Sequence, residues 1–551
     1  MNVLGINQLP GMLSWMHDSG AALVQNGKLI ACAEEERFNR IRHYRGYPHK
    51  AIEYCLKSGH ITMADIDYIA VAYNPYGFFK RPNFYWKSLL RNIFNIGVFW
   101  YYKQQIKMQT KAKVVFVDHH LAHAASAYRC SGFDRANILT IDGSGETESF
   151  AFFIGEGNKI KRIWDIPLSG LFSRMKNRSI GLVYTSITSL LGLGVNAEGK
   201  TMGLASYGKP VYDFTHILNI KTHKDYKIDR RNILKLYKHL QRNYNQEPLN
   251  ETHKNLAASL QKSLEQSIVN LAEESYRYSK IKNFCLAGGV SLNCNTNSEI
   301  LKQDFCDNIF IQPAAHDGGI PLGAALEVFA KFGGPINFKL DNAYWGPEFN
   351  NQEIEQILEE IKLKYSFEQN IPAKAAALIS QGKMIAWFQG RMEMGPRALG
   401  NRSILADPTI KGIDDKVNKY VKHREAWRPF APSVIEENAP QYFLGVNKAT
   451  ASPFMLHTFF VKEEYQKIFP AITHIDGSSR IQTVNKNQNE KYYALLKEME
   501  KINGYPVVLN TSFNDKGEPI ICTPKDAIRC FFSTGLDALV IGNYLIEKDN
   551  N

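Results

Sequence analysis

Two stretches of this sequence carry the same succession of strand, glycine-bearing loop, strand, tight turn and strand. A chain that repeats such a unit is expected to fold as two matched halves. The first copy reads as a strand over 2–6, a loop through His17-Asp18-Ser19-Gly20, a strand over 21–24, the turn Gln25-Asn26-Gly27 and a strand over 28–33. The Asn-Gly pair is its hairpin signal. The second begins at Ala136, with a strand over 138–141, the turn Asp142-Gly143-Ser144-Gly145-Glu146, a strand over 149–154, a turn over 155–158 and a strand over 159–164. At 551 residues the chain exceeds one hydrophobic core, and two or three domains are expected.

Between the copies lies Val117-Asp118-His119-His120-Leu121-Ala122-His123. On a helix, His119 and His123 stand one turn apart on one face, so their imidazoles can converge on one metal ion that Asp142 and Asp317 complete. Two imidazoles with carboxylates suit iron(II), manganese or zinc, and the absence of cysteine from the set argues against a closed structural zinc site.

The glycine-rich turns have a second meaning. Short turns let consecutive backbone amides point at an anion without side-chain obstruction. Gly143-Ser144-Gly145 is one such turn, Gly288-Gly289 with Asn293 follows the strand around Phe284, and Lys200 lies in the run from Ala197 to Leu204. In this order along one chain they favour a nucleotide site, and the paired strand-turn-strand units resemble the halves of the actin, sugar-kinase and heat-shock ATPase superfamily.

Near Gly346-Pro347 the pattern changes, which divides the chain into 1–345 and 346–551. The next segment predicts a helix over 351–364 with a core-facing stripe of Ile354, Ile357, Leu358 and Ile361. Beyond a strand over 384–388 come two cationic clusters framed by glycine and proline. One runs from Gln389 through Gly395-Pro396-Arg397-Ala398-Leu399-Gly400 to Asp407, the other from Val421 through Lys422 and Arg428 to Pro432. Arg480, and Asn510 with Ser512 after a strand over 507–509, join them. Guanidinium forks bind oxyanions bidentately and lysine adds a point charge, so Arg397, Lys422, Arg428 and Arg480 are the expected phosphate ligands. Arg391, Arg402 and Arg424 are read as surface salt bridges.

The formal charge of +12 is uneven. From Phe79 to Val117 there are eight lysines and arginines and no acidic residue, interleaved with aromatic residues such as Phe84, Tyr85, Trp86, Phe99, Trp100, Tyr101 and Tyr102. Such a stretch suits an anionic acceptor, RNA or a membrane surface, and reads first as a solvated amphipathic helix hairpin. The eight cysteines form no close metal pair and read as buried thiols in a reduced, cytoplasmic protein. Neither a secretory signal nor an apolar run of spanning length is evident.

With these motifs in order, the chain resembles the NodU/CmcH O-carbamoyltransferases across nearly its whole length. The resemblance rests on His17-Asp18, on 118–123, on Gly395 to Gly400 and on Arg428-Pro429-Phe430-Ala431-Pro432. It implies an α/β chain: an actin-like (ASKHA) duplicated, metal-binding ATPase-type domain followed by a YrdC-like α/β domain. The second would make carbamoyl adenylate from carbamoyl phosphate and ATP, with magnesium. The first would receive it internally and transfer the carbamoyl group to a hydroxyl of a small-molecule natural product or glycan.

By the same resemblance His119, His123, Asp142 and Asp317 would bind iron(II), and the Gly143–Gly145 and Gly288-Gly289 turns would hold the adenylate. Arg397, Lys422, Arg428, Arg480 and Ser512 would bind carbamoyl phosphate and nucleotide. His17 would accept the proton of the acceptor hydroxyl. The loop from Gln8 to Met16 before His17 is longer than the family spacing implies. No stable nucleic-acid partner is expected, and a homodimer is left open. The alternative is a threonylcarbamoyl-type tRNA modification enzyme that grips RNA with the basic stretch.

Overall fold

A computed structural model describes residues 1–11, 17–77, 86–168, 178–243, 248–336, 338–446 and 451–548. The side chains of 86–92, 106–109, 231 and 234 also fall outside it. The chain divides into two compact units, Met1–Glu35 with His43–Leu340, and Glu36–Arg42 with Asp341–Asn551. The change-over at Leu340 comes earlier than the expected 345, and a short piece of the amino-terminal sequence goes with the second unit.

The first unit holds two five-stranded sheets of one topology. In the first, β1 (Asn2–Ile6), β2 (Gly20–Gln25), β3 (Lys28–Glu34), β4 (Tyr68–Val71) and β5 (Lys113–Phe116) lie in the order β3-β2-β1-β4-β5. The second is built from β6 (Arg135–Ile141), β7 (Glu148–Glu156), β8 (Lys159–Pro167), β11 (Asn283–Ala287) and β12 (Asn308–Ile311), ordered β8-β7-β6-β11-β12. Both run antiparallel through their first three strands and parallel through the rest. A minor ribbon, β9 (Leu218–Ile220) and β10 (Tyr226–Ile228), stands apart. The β2–β3 turn obeys its sequence, since Asn26 and Gly27 both take positive φ, 49° and 81°, as a two-residue hairpin with right-handed strand twist requires. The fold class expected for this half is therefore present: a duplicated actin-like α/β unit.

Two helices form the layer between the sheets. His119–Ser131 packs on β6 and β11, Ile320–Phe332 packs on β1 and β2, and the helices pack on each other. Close approach depends on glycine. A Cβ on Gly323 would stand 1.8 Å from the Ala122 carbonyl oxygen, and one on Gly5 1.9 Å from that of Pro321. Every residue of the first helix except Leu121 is buried, capped by the Asp118 carboxylate on the Leu121 amide.

Among the described residues the basic aromatic stretch holds one helix, Trp86–Gln109, followed by β5, rather than a helix hairpin. Lys80, Arg81, Phe84 and Tyr85 lie outside the described residues, as do Met12 to Met16 of the amino-terminal loop. All eight cysteines are buried free thiols.

The second unit is also α/β. Its main sheet holds β13 (Ser366–Phe367), β14 (Ile385–Phe388), β15 (Arg402–Ala406), β16 (Ala431–Ile435), β20 (Gln482–Val484), β21 (Val507–Ser512), β22 (Ala538–Ile541) and β23 (Tyr544–Glu547), ordered β13-β23-β22-β14-β15-β21-β16-β20. A small sheet joins β17 (Phe443–Leu444), β18 (Phe459–Val461) and β19 (Ser478–Ser479). Helices Ile371–Ser380 and Glu490–Asn503 cover the main sheet through Ala375, Ile379, Trp387, Tyr492, Leu496 and Met499. The helix expected over 351–364 is Asn351–Glu360; Ile354 and Leu358 are buried, and Ile361, beyond its end, is 42% exposed.

Candidate functional sites

In the first unit the four expected metal ligands meet. His119 and His123 rise from the buried helix with ring centroids 4.7 Å apart. Asp142 directly follows β6, its backbone N–H bonded to the Ser149 carbonyl, while its Oδ1 accepts from the Gly289 amide at 3.1 Å. That leaves Oδ2 facing His119 Nε2 at 3.0 Å and His123 Nε2 at 3.6 Å. Asp317 opens the turn before Ile320–Phe332 and sets Oδ1 3.8 Å from His119 Nε2 and 3.6 Å from His123 Nε2. One donor atom from each residue falls within 4.8 Å of every other.

The residues fit a small divalent cation. Both imidazoles are wholly buried, and His123 Nε2, aimed at the two carboxylates, has no hydrogen-bond partner. Donors bonded at about 2.1 Å to one ion stand roughly 3.0–3.5 Å apart, close to the spacings here. Without an ion, burial disfavours an imidazolium at His123, but Asp142 and Asp317 outweigh it and push its pKa up to about 9. Burial opposes ionisation of Asp142 too, and the two imidazoles hold its carboxyl well below the usual range. Mixed imidazole and carboxylate donors suit iron(II), manganese or zinc alike.

His17 lies beside β2, and its side chain keeps 36% exposure whereas His119 and His123 keep none. Its Nδ1 bonds the Asp18 carboxylate, which also takes His43 Nδ1 at 2.7 Å. Asp18 is 2% exposed with φ of 57°, and Asn7 donates to its carbonyl and to that of Asp317. His316 Nε2 stands 3.7 Å from both Asp18 and Glu34 carboxylates. Burial lowers the His17 pKa, but Asp18, Asp317 and Asp142 together raise it to about 10. Asp18 as positioning group, with His43, went unrecognised in the sequence. The His17-Asp18 pair was visible, but nothing in the spacing linked it to residue 43.

The glycine turns are tied to this centre. Gly289 donates to Asp142, and Ser179 Oγ donates to the Gly143 carbonyl at 2.7 Å while capping the helix Ile180–Leu190. Gly288, with φ of 93°, has no room for a Cβ, which would stand 2.3 Å from the Ile141 carbonyl. Gly145 lies against the His120 ring, and Ser144 joins Gly143 to it. Lys200 lies on a separate helix, Glu198–Ala205. The Asn293 side-chain amide exchanges hydrogen bonds with Gln261 and accepts from the Thr296 amide as a helix cap.

Glu146 is a further residue not anticipated. Its carboxyl accepts the His119 amide at 3.0 Å and the Asn74 amide at 2.9 Å, fixing the start of the ligand helix. Burial, then Asp118 and Glu148, raise its pKa well above the ordinary value.

In the second unit Lys422 and Arg428 come together with Arg480 and Arg424. Lys422 Nζ donates to the Ser512 and Asn514 carbonyls at 2.8 and 2.9 Å, and to Asn514 Oδ1 at 2.9 Å. Ser512 Oγ bonds Asn514 Oδ1. Burial, then Arg424 and Arg428, push the ammonium pKa down to about 7. Burial, then Arg428 and Arg480, pull Arg424 down to about 9. A bound anion would relieve the mutual repulsion of these cations.

The reading of Arg424 as a surface salt bridge is therefore corrected; it stacks on Phe430 at 4.3 Å within this cluster. Arg402 is corrected too. It is fully buried and donates to the carbonyls of Gln389, Gly390 and Pro347. Arg391 donates to the Trp345 carbonyl at 2.9 Å and to the Gly346 carbonyl at 3.3 Å. Asn510 spends its NH₂ on Ser433, Gln482 and the Ala398 carbonyl, a buried scaffold role. Arg397 sits half-buried in the 395–400 loop; the Leu399 amide of that loop and the following amides of Asn401 and Arg402 converge on the Glu393 carboxylate.

Comparison with known proteins follows the same division. The carbamoyltransferase amino-terminal family model matches residues 8–326 and the carboxy-terminal one 376–548. Nodulation protein NolNO of Sinorhizobium fredii is 38% identical over 97% of this chain and 79% of its own. Protein sll1178 of Synechocystis sp. is 35% identical over 98% of this chain and 96% of its own. Among solved structures, HypF of T. kodakarensis covers 60% of this chain and 48% of its own at 14% identity and a TM-score of 0.36, a likeness too slight to argue from. Matched in both halves and nearly end to end, the chain belongs to the carbamoyltransferase family and is a carbamoyl-transferring enzyme.

Proposed function

We propose that the chain is an ATP-dependent O-carbamoyltransferase. In the second unit, carbamoyl phosphate and water would give carbamate and phosphate. Carbamate oxygen would then attack the α-phosphorus of ATP, giving carbamoyl adenylate and pyrophosphate. In the first unit a hydroxyl of a small-molecule natural product or glycan would attack the carbamoyl carbon, releasing AMP and a proton. What carries this reading is the cluster of Lys422, Arg424, Arg428 and Arg480, offset only partly by Glu425 and Asp515. Such a cluster suits the several phosphate groups this reaction must hold at once.

Arg428 and Arg480, with Arg397 at the neighbouring loop, would grip phosphate oxygens, and Lys422 on Ser512 and Asn514 would supply charge at a fixed place. The turns at Gly143–Gly145 and Gly288-Gly289 would let the adenylate approach the backbone closely, the Gly145, Gly288 and Gly289 amides themselves being taken by the Glu148 and Ala315 carbonyls and the Asp142 carboxylate. His119, His123, Asp142 and Asp317 would hold iron(II), manganese or zinc, which supplies Lewis-acid polarisation of an oxygen gaining negative charge. His17 Nε2 would take the acceptor proton while Asp18 holds Nδ1 and so fixes the tautomer. Of the groups that raise its pKa, Asp142 and Asp317 are the ones a bound cation would neutralise.

The test is a screen of hydroxylated metabolites with ATP and carbamoyl phosphate for the mass of one added carbamoyl group. His17→Asn should slow transfer by about 10²–10⁴-fold while pyrophosphate release from ATP and carbamoyl phosphate persists. Equal loss of both contradicts the assignment of His17. No pyrophosphate from the wild type contradicts the adenylate route.

A further inference from the structure

Over its described side chains, the helix Trp86–Gln109 buries one face and leaves large apolar side chains exposed on another. Inward, Asn95 and Phe99 are 0% and 2% exposed, and the Phe99 ring packs on Phe116 at 4.6 Å and on Tyr73 at 5.9 Å. Outward, Ile93, Phe94, Trp100 and Tyr101 are 53%, 50%, 66% and 56% exposed. Positions 93, 94, 97, 100, 101 and 104 fall one or three apart in turn, so they form one stripe, with Gly97 and Gln104 exposed in it. A helix that has already satisfied one apolar face in the core gains nothing in water from a second. Concentrated exposed aromatic surface of this kind marks an interaction site.

Charge identifies what covers it. Lys103 is exposed beside the stripe, Lys111 and Lys113 are exposed just after the helix, and no acidic residue occurs from Phe79 to Val117. A second copy of this chain would bring two such acid-free segments together, like charge against like. An anionic lipid surface instead offers an apolar layer for the rings and phosphate groups for the lysines. Among the described residues no helix is long and apolar enough to cross a membrane, and this one carries Lys87, Arg91, Lys103 and Lys107 within its 24 residues. Those charges suit a helix that lies in the interface.

We infer that this helix docks the enzyme on an anionic bilayer surface. The stripe Ile93, Phe94, Trp100 and Tyr101 enters the acyl boundary, and Lys103, Lys111 and Lys113 stay among the headgroups. The proposal is independent of the acceptor and of the metal.

Flotation of the full chain with phosphatidylcholine vesicles, and with vesicles also containing phosphatidylglycerol, tests it. Partition onto the anionic vesicles should exceed that onto the neutral ones by about tenfold or more and should fall as salt rises. Lys103→Gln and Lys111→Gln should each weaken it about fivefold, the effect of one cation near such a surface. The double variant Phe94→Ser with Trp100→Ser should float no better than a control protein while melting at the wild-type temperature. The comparison of vesicles and salts needs no variant, so a folding defect cannot rescue the idea. Equal partition onto both vesicles overturns it, as does none onto either. Retention of RNA without vesicle binding, or self-association lost with Trp100, assigns the face to another partner and overturns it too.

Discussion

Lys422 makes the phosphate site testable by counting protons. Burial and the neighbouring guanidiniums bring its pKa down to about 7, against the oxygen acceptors of Ser512 and Asn514 that favour the ammonium. A lowered lysine pKa means the neutral amine prevails above pH 7. Bound phosphate would bring negative charge and return the pKa toward its ordinary value of about 10.4, so binding must take up the missing proton. The uptake equals the neutral fraction in the empty site: about 0.1 proton at pH 6, about 0.5 at pH 7 and about 0.9 at pH 8. The protonated fraction falls tenfold between pH 6 and 8, so that part of the affinity weakens by about 1.4 kcal/mol. Titration calorimetry with carbamoyl phosphate, in buffers of different ionisation enthalpy, reads the uptake directly. Lys422→Met supplies the correction for the ligand's own titration, which is mostly complete by pH 8. Equal proton counts for wild type and Lys422→Met at pH 8 would refute the placement of Lys422 at the anion.

Three further outcomes follow from the packing. Gly323→Ala sets a methyl group against the Ala122 carbonyl and must part the two central helices, costing about 1–3 kcal/mol of stability by denaturant unfolding. Gly199→Ala, where a Cβ meets nothing within 4 Å, should cost nothing, and equal effects of the two would sink the steric account. His123→Ala and Asp142→Asn should each lower divalent-metal stoichiometry after dialysis from about one per chain toward zero, by elemental analysis, since four donors define the shell. Arg402→Met leaves the Gln389, Gly390 and Pro347 carbonyls without their donor, a loss of about 3 kcal/mol or more; a wild-type melting temperature would contradict it.

The duplicated half was legible because its signals are local. Asn26-Gly27 fixes a hairpin, alternating and continuous apolar runs fix strands, and the same order recurs after Ala136. His119 and His123 were legible for the same reason, one helical turn apart. Asp317 needed a guess about the fold, and the sheets supply it by bringing both carboxylates to the same end of the helix layer. What failed was of another kind. Asn293 and Asn510 looked like ligands in glycine- and hydroxyl-rich runs, yet the Asn293 amide is engaged by Gln261 and the Asn510 NH₂ by Gln482 and Ser433, contacts that spacing cannot show. Arg402 looked exposed because arginine usually is. Its burial follows from the carbonyls that the 389–401 loop turns inward, which no side-chain pattern announces. His43 joins His17 through Asp18, a left-handed residue at the head of β2, and through an edge-to-face ring contact at 5.6 Å.

The short helix Glu36–Asn39 has a practical consequence for anyone who cuts this protein in two. Arg37 donates to the Gly395 carbonyl at 2.9 Å, and Arg40 to those of Ile520 and Pro519 at 2.7 Å, all within the second unit. A carboxy-terminal fragment beginning at Asp341 would therefore be expressed without three of its own arginines, Arg37, Arg40 and Arg42, and would leave the loop that bears Arg397 with one fewer anchor. Residues 36–42 would have to be restored, as an added peptide or by circular permutation, before such a fragment could stand for the unit.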